Sequence, residues 1–454
     1  MPITGVLDTI FKSYDVRGLC PEQLSAPIAR RVGAGFARWL ATNRLGEKVV
    51  LAGDMRPSTP GLIDALADGI CEQGLDVVVA GLSSTDQLYF ASGWLGLPGI
   101  QVTASHNPAQ YNGMKMCRAM AAPIGAETGL NEIKALAAQE LEPAARRGER
   151  TEVATLSAYA DHLHSLVPLE EIRPLSVVVD AGNGMAGLTV PEVLGRSALR
   201  ITPLYFELDG SFPNHPADPL DPANLVDLQR RVRAGAAPLR LAFAGGADPG
   251  FVVGERGGPG PASAITALIA ERELMRSPGE TIVHNVITSK MVPEVVRAAG
   301  GTPSRTKVGH SNMKARMAEQ NAVFGGEHSA HYYFRDFYFA DTGMLAAMHI
   351  LSALGEQVGP LSELVARYDR YAASGEINST VDDAERALRA VHEHATGMDA
   401  QIDRLDGITA ELGDGAWFNV RASNTEPLLR LNVEAADPAR MEQLRDELLA
   451  VIRR

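Results

Sequence analysis

Short apolar runs alternate with helix-spaced segments along most of the chain. Lys48-Val49-Val50-Leu51-Ala52-Gly53 predicts a buried strand, residues 60–72 carry apolar side chains at helical spacing, and residues 75–80 predict the next strand. The unit recurs at residues 175–180, followed by a glycine-rich turn and a helix-like segment at 191–195. It recurs again at 281–287, with 291–299 as its helix. Three copies of one α/β unit predict three similar α/β domains in series. The pattern then changes: residues 408–412, 417–421 and 428–433 read as short strands with alternating faces, and 438–452 as a closing amphipathic helix. The expected fold class is α/β, three similar α/β domains plus a smaller α+β C-terminal domain, divided at 1–148, 149–250, 251–372 and 373–454. The Pro- and Gly-rich stretches 213–222 and 254–261 read as loops.

Composition narrows the partners. The 454 residues are 45% hydrophobic and 21% charged, enough to bury several cores. A net charge of −13 argues against non-specific nucleic-acid binding, yet leaves room for a local basic pocket that takes small anions. No apolar run approaches the roughly 18 residues of a membrane helix, and the start lacks a basic segment followed by an apolar one, so a cytoplasmic protein is expected. Three cysteines, Cys20, Cys71 and Cys117, suit a reducing compartment.

Five strings carry candidate chemistry. Thr103-Ala104-Ser105-His106-Asn107-Pro108 follows the apolar stretch 99–102, so a strand delivers Ser105 to a loop; the turn Tyr111-Asn112-Gly113 and then Lys115 come after it. A serine hydroxyl needs activation, and His106 and Lys115 offer proton transfer and positive charge. The plainer reading is an Asn-Pro turn with an incidental serine. Phe11-Lys12-Ser13-Tyr14-Asp15-Val16-Arg17-Gly18 supplies Arg17, whose planar fork suits a phosphate or simply a solvated surface. Lys307-Val308-Gly309-His310-Ser311-Asn312 sets His310 ahead of a helix, a position for a proton shuttle. Gly325-Gly326-Glu327-His328-Ser329-Ala330-His331 places a carboxylate and a hydroxyl two residues apart, able to bridge adjacent sugar hydroxyls. Arg421-Ala422-Ser423-Asn424-Thr425-Glu426-Pro427 offers a guanidinium, hydroxyls and an amide that can surround a dianion.

Together these strings resemble the α-D-phosphohexomutase family, phosphomannomutase/phosphoglucomutase type, and the likeness runs over essentially the whole chain. The resemblance implies four domains around a central cleft. It implies that Ser105 carries a phosphate and gives it to a hexose phosphate. The resulting bisphosphate reorients and returns its other phosphate, interconverting mannose or glucose 6-phosphate and 1-phosphate. By the same resemblance Arg17 faces the phosphoserine, Lys115 and His310 are acid/base groups, and Glu327 and Ser329 read the sugar. His106 and His331 line the substrate, and Arg421, Ser423, Asn424 and Thr425 hold the distal phosphate. The implied cofactors are Mg²⁺ and a hexose 1,6-bisphosphate activator. The implied partners are phosphorylated hexoses, with no nucleic acid and no membrane.

One stretch departs from that pattern. After the strand at 240–243 the family has Asp-Gly-Asp-x-Asp-Arg, three alternating carboxylates that bind Mg²⁺ together with a phosphoserine oxygen. This chain reads Ala244-Gly245-Gly246-Ala247-Asp248-Pro249. Asp248, with Ser105, is all that remains of the metal set, and Pro249 stands in the arginine's place. Magnesium demands several hard oxygens in near-octahedral array. Mg²⁺-dependent turnover is therefore expected to be weak or lost. The alternatives are a non-catalytic phosphosugar-binding regulator, or partner of an intact mutase paralogue, and a slow metal-independent phosphatase acting through Ser105.

Overall fold

A computed structural model describes residues 3–216, 218, 221–228, 230, 239–243, 250–254, 260–423 and 428–453. The chain divides into two units, one holding residues up to Gly260 with His331–Ser362, the other Pro261–Ala330 with Glu363–Arg454. Among the described residues no helix is long and apolar enough to cross a membrane.

Among the described residues the first unit includes two sheets and the paired strands Tyr332–Phe334 and Ala340–Asp341. In the larger, strands run in the order Val16–Leu19, Tyr111–Arg118, Gly99–Val102, Lys48–Gly53, Asp76–Leu82 and Arg150–Glu152. The last four are parallel, and the first two join antiparallel. Both faces of the parallel part are covered, so Val49, Val50, Leu51 and Ala52 are all buried and the strand reads as an unbroken apolar run. The helix Thr59–Glu72 begins where its spacing predicted, and it buries Leu62, Leu66 and Ile70. The second sheet has the order Gly250–Gly254, Leu239–Phe243, Ser176–Asp180, Arg200–Leu204. Phe243 pairs antiparallel with Gly250, so residues 244–249 join the ends of two paired strands. The helix expected at 191–195 instead spans Ala186–Val193, with Pro191 inside it.

A buried carboxylate ties the pieces of this unit together. Asp86 accepts the hydroxyls of Ser84 at 2.5 Å, Tyr159 at 2.7 Å and Thr342 at 2.7 Å. Desolvation raises its pKa, and those donors work against the shift. Thr342 also caps the helix Gly343–Gly355, whose residues are buried from Gly343 to Leu354.

In the second unit three parallel strands lie in the order Thr302–Thr306, Thr281–Asn285, Phe324–Gly326. The strand predicted over 281–287 stops at Asn285. The Asn285 side chain accepts the Ile287 N–H and the Thr288 hydroxyl, which turns the chain out of the ladder. The C-terminal part is an antiparallel sheet that includes Ile408–Glu411, Trp417–Ala422 and Leu428–Ala435. Helices Ala384–Gly397 and Pro438–Ile452 pack on it through Val391, Leu444 and Leu448, against Phe418 and Leu431.

One histidine in this unit has a consequence for stability. His284 sits in the strand Thr281–Asn285 with its Nδ1 3.1 Å from the Asn285 carbonyl. Desolvation pushes its pKa down to about 4. A base held neutral in the fold stabilises it above the unfolded pKa of about 6.5 and stops doing so as pH falls toward 4. Chemical denaturation from pH 7 to pH 4 should show a loss of up to about 3 kcal/mol from this group. His284→Asn, which keeps a donor near the same place, should flatten that slope. An unchanged slope in the variant would assign the acid sensitivity to other groups.

Candidate active site

The serine loop is held from beneath by one buried arginine. Ser105 lies three residues past the end of the strand Gly99–Val102 and adopts φ +52°, a left-handed conformation uncommon outside glycine. Arg56 is 1% exposed. Its Nη2 donates to the carbonyls of Ser105 at 3.0 Å and Asn107 at 2.7 Å. Its Nη1 donates to those of Pro108 at 2.8 Å and Tyr111 at 2.9 Å. Asp54 takes the Arg56 Nε at 3.2 Å and also accepts the hydroxyls of Thr59 and Thr103. Thr103 in turn accepts the Ser105 N–H at 3.0 Å. Desolvation lowers the Arg56 pKa while Asp54 raises it, and the carbonyls satisfy what the carboxylate does not reach.

The predicted groups of the first unit gather around this loop. Arg17, in the strand Val16–Leu19, donates to the Asn107 side chain at 2.6 Å and pairs with Asp15 at 2.5 Å. It lies directly across from Gly113, and Lys115 is two residues further along the same strand, opposite Gln101. Gly113 is required there: a Cβ would stand 2.4 Å from the Val16 carbonyl oxygen and 2.7 Å from that of Thr103. His106 is exposed. Partial desolvation lowers its pKa, Arg17, Lys115 and Arg56 add to that, and Asp218 opposes it. Arg17, Arg56 and Lys115 thus all act on His106, the residue next to Ser105. His331 also belongs to this unit and is half-buried.

In the second unit His310 opens the helix His310–Gln320, preceded by Gly309. Glu327 is buried, and its Oε1 accepts the Gly309 N–H at 3.1 Å and the Asn285 amide at 3.4 Å. The carboxylate therefore fixes the approach to His310, whereas Ser329 is exposed. The two members of the expected sugar-reading pair occupy different environments. Between them, burial lowers the pKa of His328, with Glu376 and Arg421 acting on it in opposite senses.

Arg421 lies in the strand Trp417–Ala422, directly opposite Arg430 in Leu428–Ala435. Glu376 bridges them, at 2.9 Å from Arg421 Nη2 and 3.1 Å from Arg430 Nη1. Arg430 Nη2 donates to the Ser423 hydroxyl at 3.4 Å. Arg421 is buried, and its Nε has no hydrogen-bond partner among the described residues. Asn424, Thr425 and Asp248 lie outside the described residues. Sequence reasoning missed Asp54, Arg56, Glu376 and Arg430. The pair Asp54/Arg56 left one signal, two charges at the C-terminal mouth of a parallel strand. Arg430 left none, because an arginine within a strand reads as a surface residue until its cross-strand neighbour is known.

Known proteins match the chain along nearly its whole length. Four phosphoglucomutase/phosphomannomutase domain models match in series: alpha/beta/alpha domain I over 8–144, domain II over 157–258, domain III over 261–371 and the C-terminal domain over 376–451. A phosphomannomutase of Escherichia coli is 40% identical, the match covering 98% of this chain and 99% of the relative. A protein of Xanthomonas campestris pv. campestris described as "phosphohexose mutases" is 39% identical with the same coverage. The X-ray structure of a phosphoglucomutase/phosphomannomutase family protein from Burkholderia thailandensis superposes with a TM-score of 0.88 at 31% identity, covering 98% of this chain and 97% of that one. Three α/β/α domains and a C-terminal domain thus define the architecture. The chain belongs to the phosphoglucomutase/phosphomannomutase family.

Proposed function

We propose that the protein binds hexose phosphates and has the machinery to interconvert mannose or glucose 6-phosphate and 1-phosphate, with Mg²⁺-dependent turnover weak or lost. The observation that carries the binding claim is the arrangement of Arg421 and Arg430, two guanidiniums sharing the single carboxylate of Glu376 beside the Ser423 hydroxyl. Arg421 Nε, buried and without a partner among the described residues, calls for an acceptor, and a phosphate oxygen would supply one. Ser105 would carry the transferred phosphate, with Arg17 and His106 neutralising it and Lys115 and His310 moving protons. Glu327 would orient the His310 approach, and Ser329 and His331 would meet the sugar.

Magnesium fits this chain poorly. The donor set comprises one carboxylate, Asp248, and Ser105, whereas the ion takes several hard oxygens. The same observation supports a second reading, a non-catalytic phosphosugar sensor or partner of an intact mutase.

Calorimetry with mannose 1-phosphate tests the binding claim. Wild-type protein should bind at millimolar ligand or better. Arg421→Ala and Arg430→Ala should each weaken binding about 10- to 100-fold, the value of one charge-assisted hydrogen bond at about 1.5–3 kcal/mol. Absence of binding by the folded wild type would refute the proposal. A mutase assay with and without Mg²⁺ then separates the enzyme from the sensor.

A further inference from the structure

We propose that His215 is a positioning residue for Ser105, a latch that holds residues 209–216 against the Arg56 cage. The segment belongs to the connection that leaves the strand Arg200–Leu204, and nothing in the motifs above involves it.

The segment touches the serine loop's support directly. The ring of Phe212 lies under the Arg56 guanidinium, 5.1 Å from ring centroid to Cζ. Gly210 packs so closely that a Cβ there would stand 2.6 Å from Arg56 Cα, 2.9 Å from Pro57 Cδ and 3.0 Å from the Met55 carbonyl oxygen. Arg56 is the side chain whose four carbonyl contacts set the path of the backbone from Ser105 to Tyr111. Whatever holds Phe212 and Gly210 in place therefore holds Arg56, and through it Ser105.

His215 is placed to do this. Its Nε2 is 3.2 Å from both oxygens of Asp180, the buried last residue of the strand Ser176–Asp180. Its Nδ1 is 2.8 Å from the Pro216 carbonyl oxygen. Both ring nitrogens face acceptors, so the protonated ring satisfies both contacts at once. Tyr205 packs edge-on against it at 5.5 Å, and its hydroxyl donates to Asp227. The groups that act on the His215 charge are Asp180 and Asp227, both anionic. Burial opposes the charge, but the Asp180 and Pro216 hydrogen bonds outweigh it and the pKa is raised. A raised folded pKa means the latch is fully held below the unfolded value of about 6.5 and releases as pH rises through the folded value. The Asp209 N–H and the Asn214 amide both donate to Asn183, so the latch reinforces a segment already tied near both ends.

Its value to function rests on the reading of Ser105 as the phosphate carrier; the latch itself does not. The test is hydrogen-exchange mass spectrometry of full-length protein, wild type, His215→Ala and Asp180→Asn, from pH 6 to 9 with intrinsic rates corrected. In wild type, exchange of residues 103–113 should rise at least about tenfold in one step with increasing pH. Both variants should show the fast rate already at pH 6.5 and lack the step, while the strand Trp417–Ala422 stays protected in all three. A wild type without the step overturns the latch, and so does a serine loop that exchanges normally while residues 209–216 open. In parallel, phosphate transfer to Ser105 from glucose 1,6-bisphosphate should fall in the variants. No phosphorylation in any of the proteins would remove the Ser105 reading and leave the exchange result standing.

Discussion

Ala244→Asp, Gly246→Asp and Pro249→Arg together should raise mutase turnover on mannose 1-phosphate by at least about a hundredfold over the parent, roughly 2.7 kcal/mol of barrier. The argument starts from the strands that flank the loop. Phe243 pairs with Gly250, and Ala242 pairs with Asp180 on the neighbouring parallel strand, so the ends between which residues 244–249 run are fixed in the sheet. Two aspartates return two hard oxygens beside Asp248, and arginine returns a positive charge while removing the fixed φ of proline. A bound metal as Lewis acid stabilises charge in phosphoryl transfer by several kcal/mol, which is why the expected gain is large. If Ser105 carries the phosphate as proposed, metal and phosphoserine would act as one unit, so the single variants should gain little and the triple far more than their sum. Ser105→Ala in the triple background should abolish the gain. The parent's thermal midpoint should move little with Mg²⁺, and that of the triple variant should rise with saturable concentration dependence. A folded triple variant as slow as the parent would place the defect elsewhere.

Arg56→Met should be among the most destabilising single substitutions in the first unit, with a loss of about 3–5 kcal/mol in urea unfolding. The methionine fills much of the space but satisfies none of the four carbonyls that Arg56 binds, and it leaves the buried Asp54 carboxylate without its cation. Arg56→Lys should recover little, because one ammonium cannot reproduce a planar fork that reaches two carbonyls from each terminal nitrogen. Phosphate transfer to Ser105 should fall with both. A midpoint within about 1 kcal/mol of wild type for Arg56→Met would show that the cage does not hold the loop.

The α/β framework was legible because its central strands carry short apolar runs, Val49–Ala52 and Val177–Val179 among them. Residues 49–53 and 282–285 are buried on both faces, and in the first of these that burial leaves an apolar run that hydropathy alone detects. The serine loop was legible too, as a polar string after such a run. The cage beneath it was not. Arg56 precedes Tyr111 by more than fifty residues, and pairing between such positions is set by the order of strands in the sheet, which local patterns do not encode. Glu327 and Ser329 make the complementary case. Their spacing is visible, but the burial of one and exposure of the other depend on Asn285 and Gly309, which approach Glu327 from other segments. Asn285 also shortened its own strand by a side-chain contact that hydropathy does not register.

The Asp86 hub sets an order of assembly on the growing polypeptide. Ser84 and Tyr159 reach the carboxylate from residues made early, but the third hydroxyl, Thr342, is made only after the whole of residues 261–330, which belong to the other unit. The helix that Thr342 caps is apolar almost throughout and buried along nearly its full length. A nascent chain that has passed residue 260 therefore carries an unfinished first unit, with a buried acid short of one donor and a groove short of one helix. Completion of this unit therefore does not follow the N-to-C order in which contiguous domains generally fold during synthesis. The first unit gains this hydroxyl and this helix only when the ribosome has delivered residue 355.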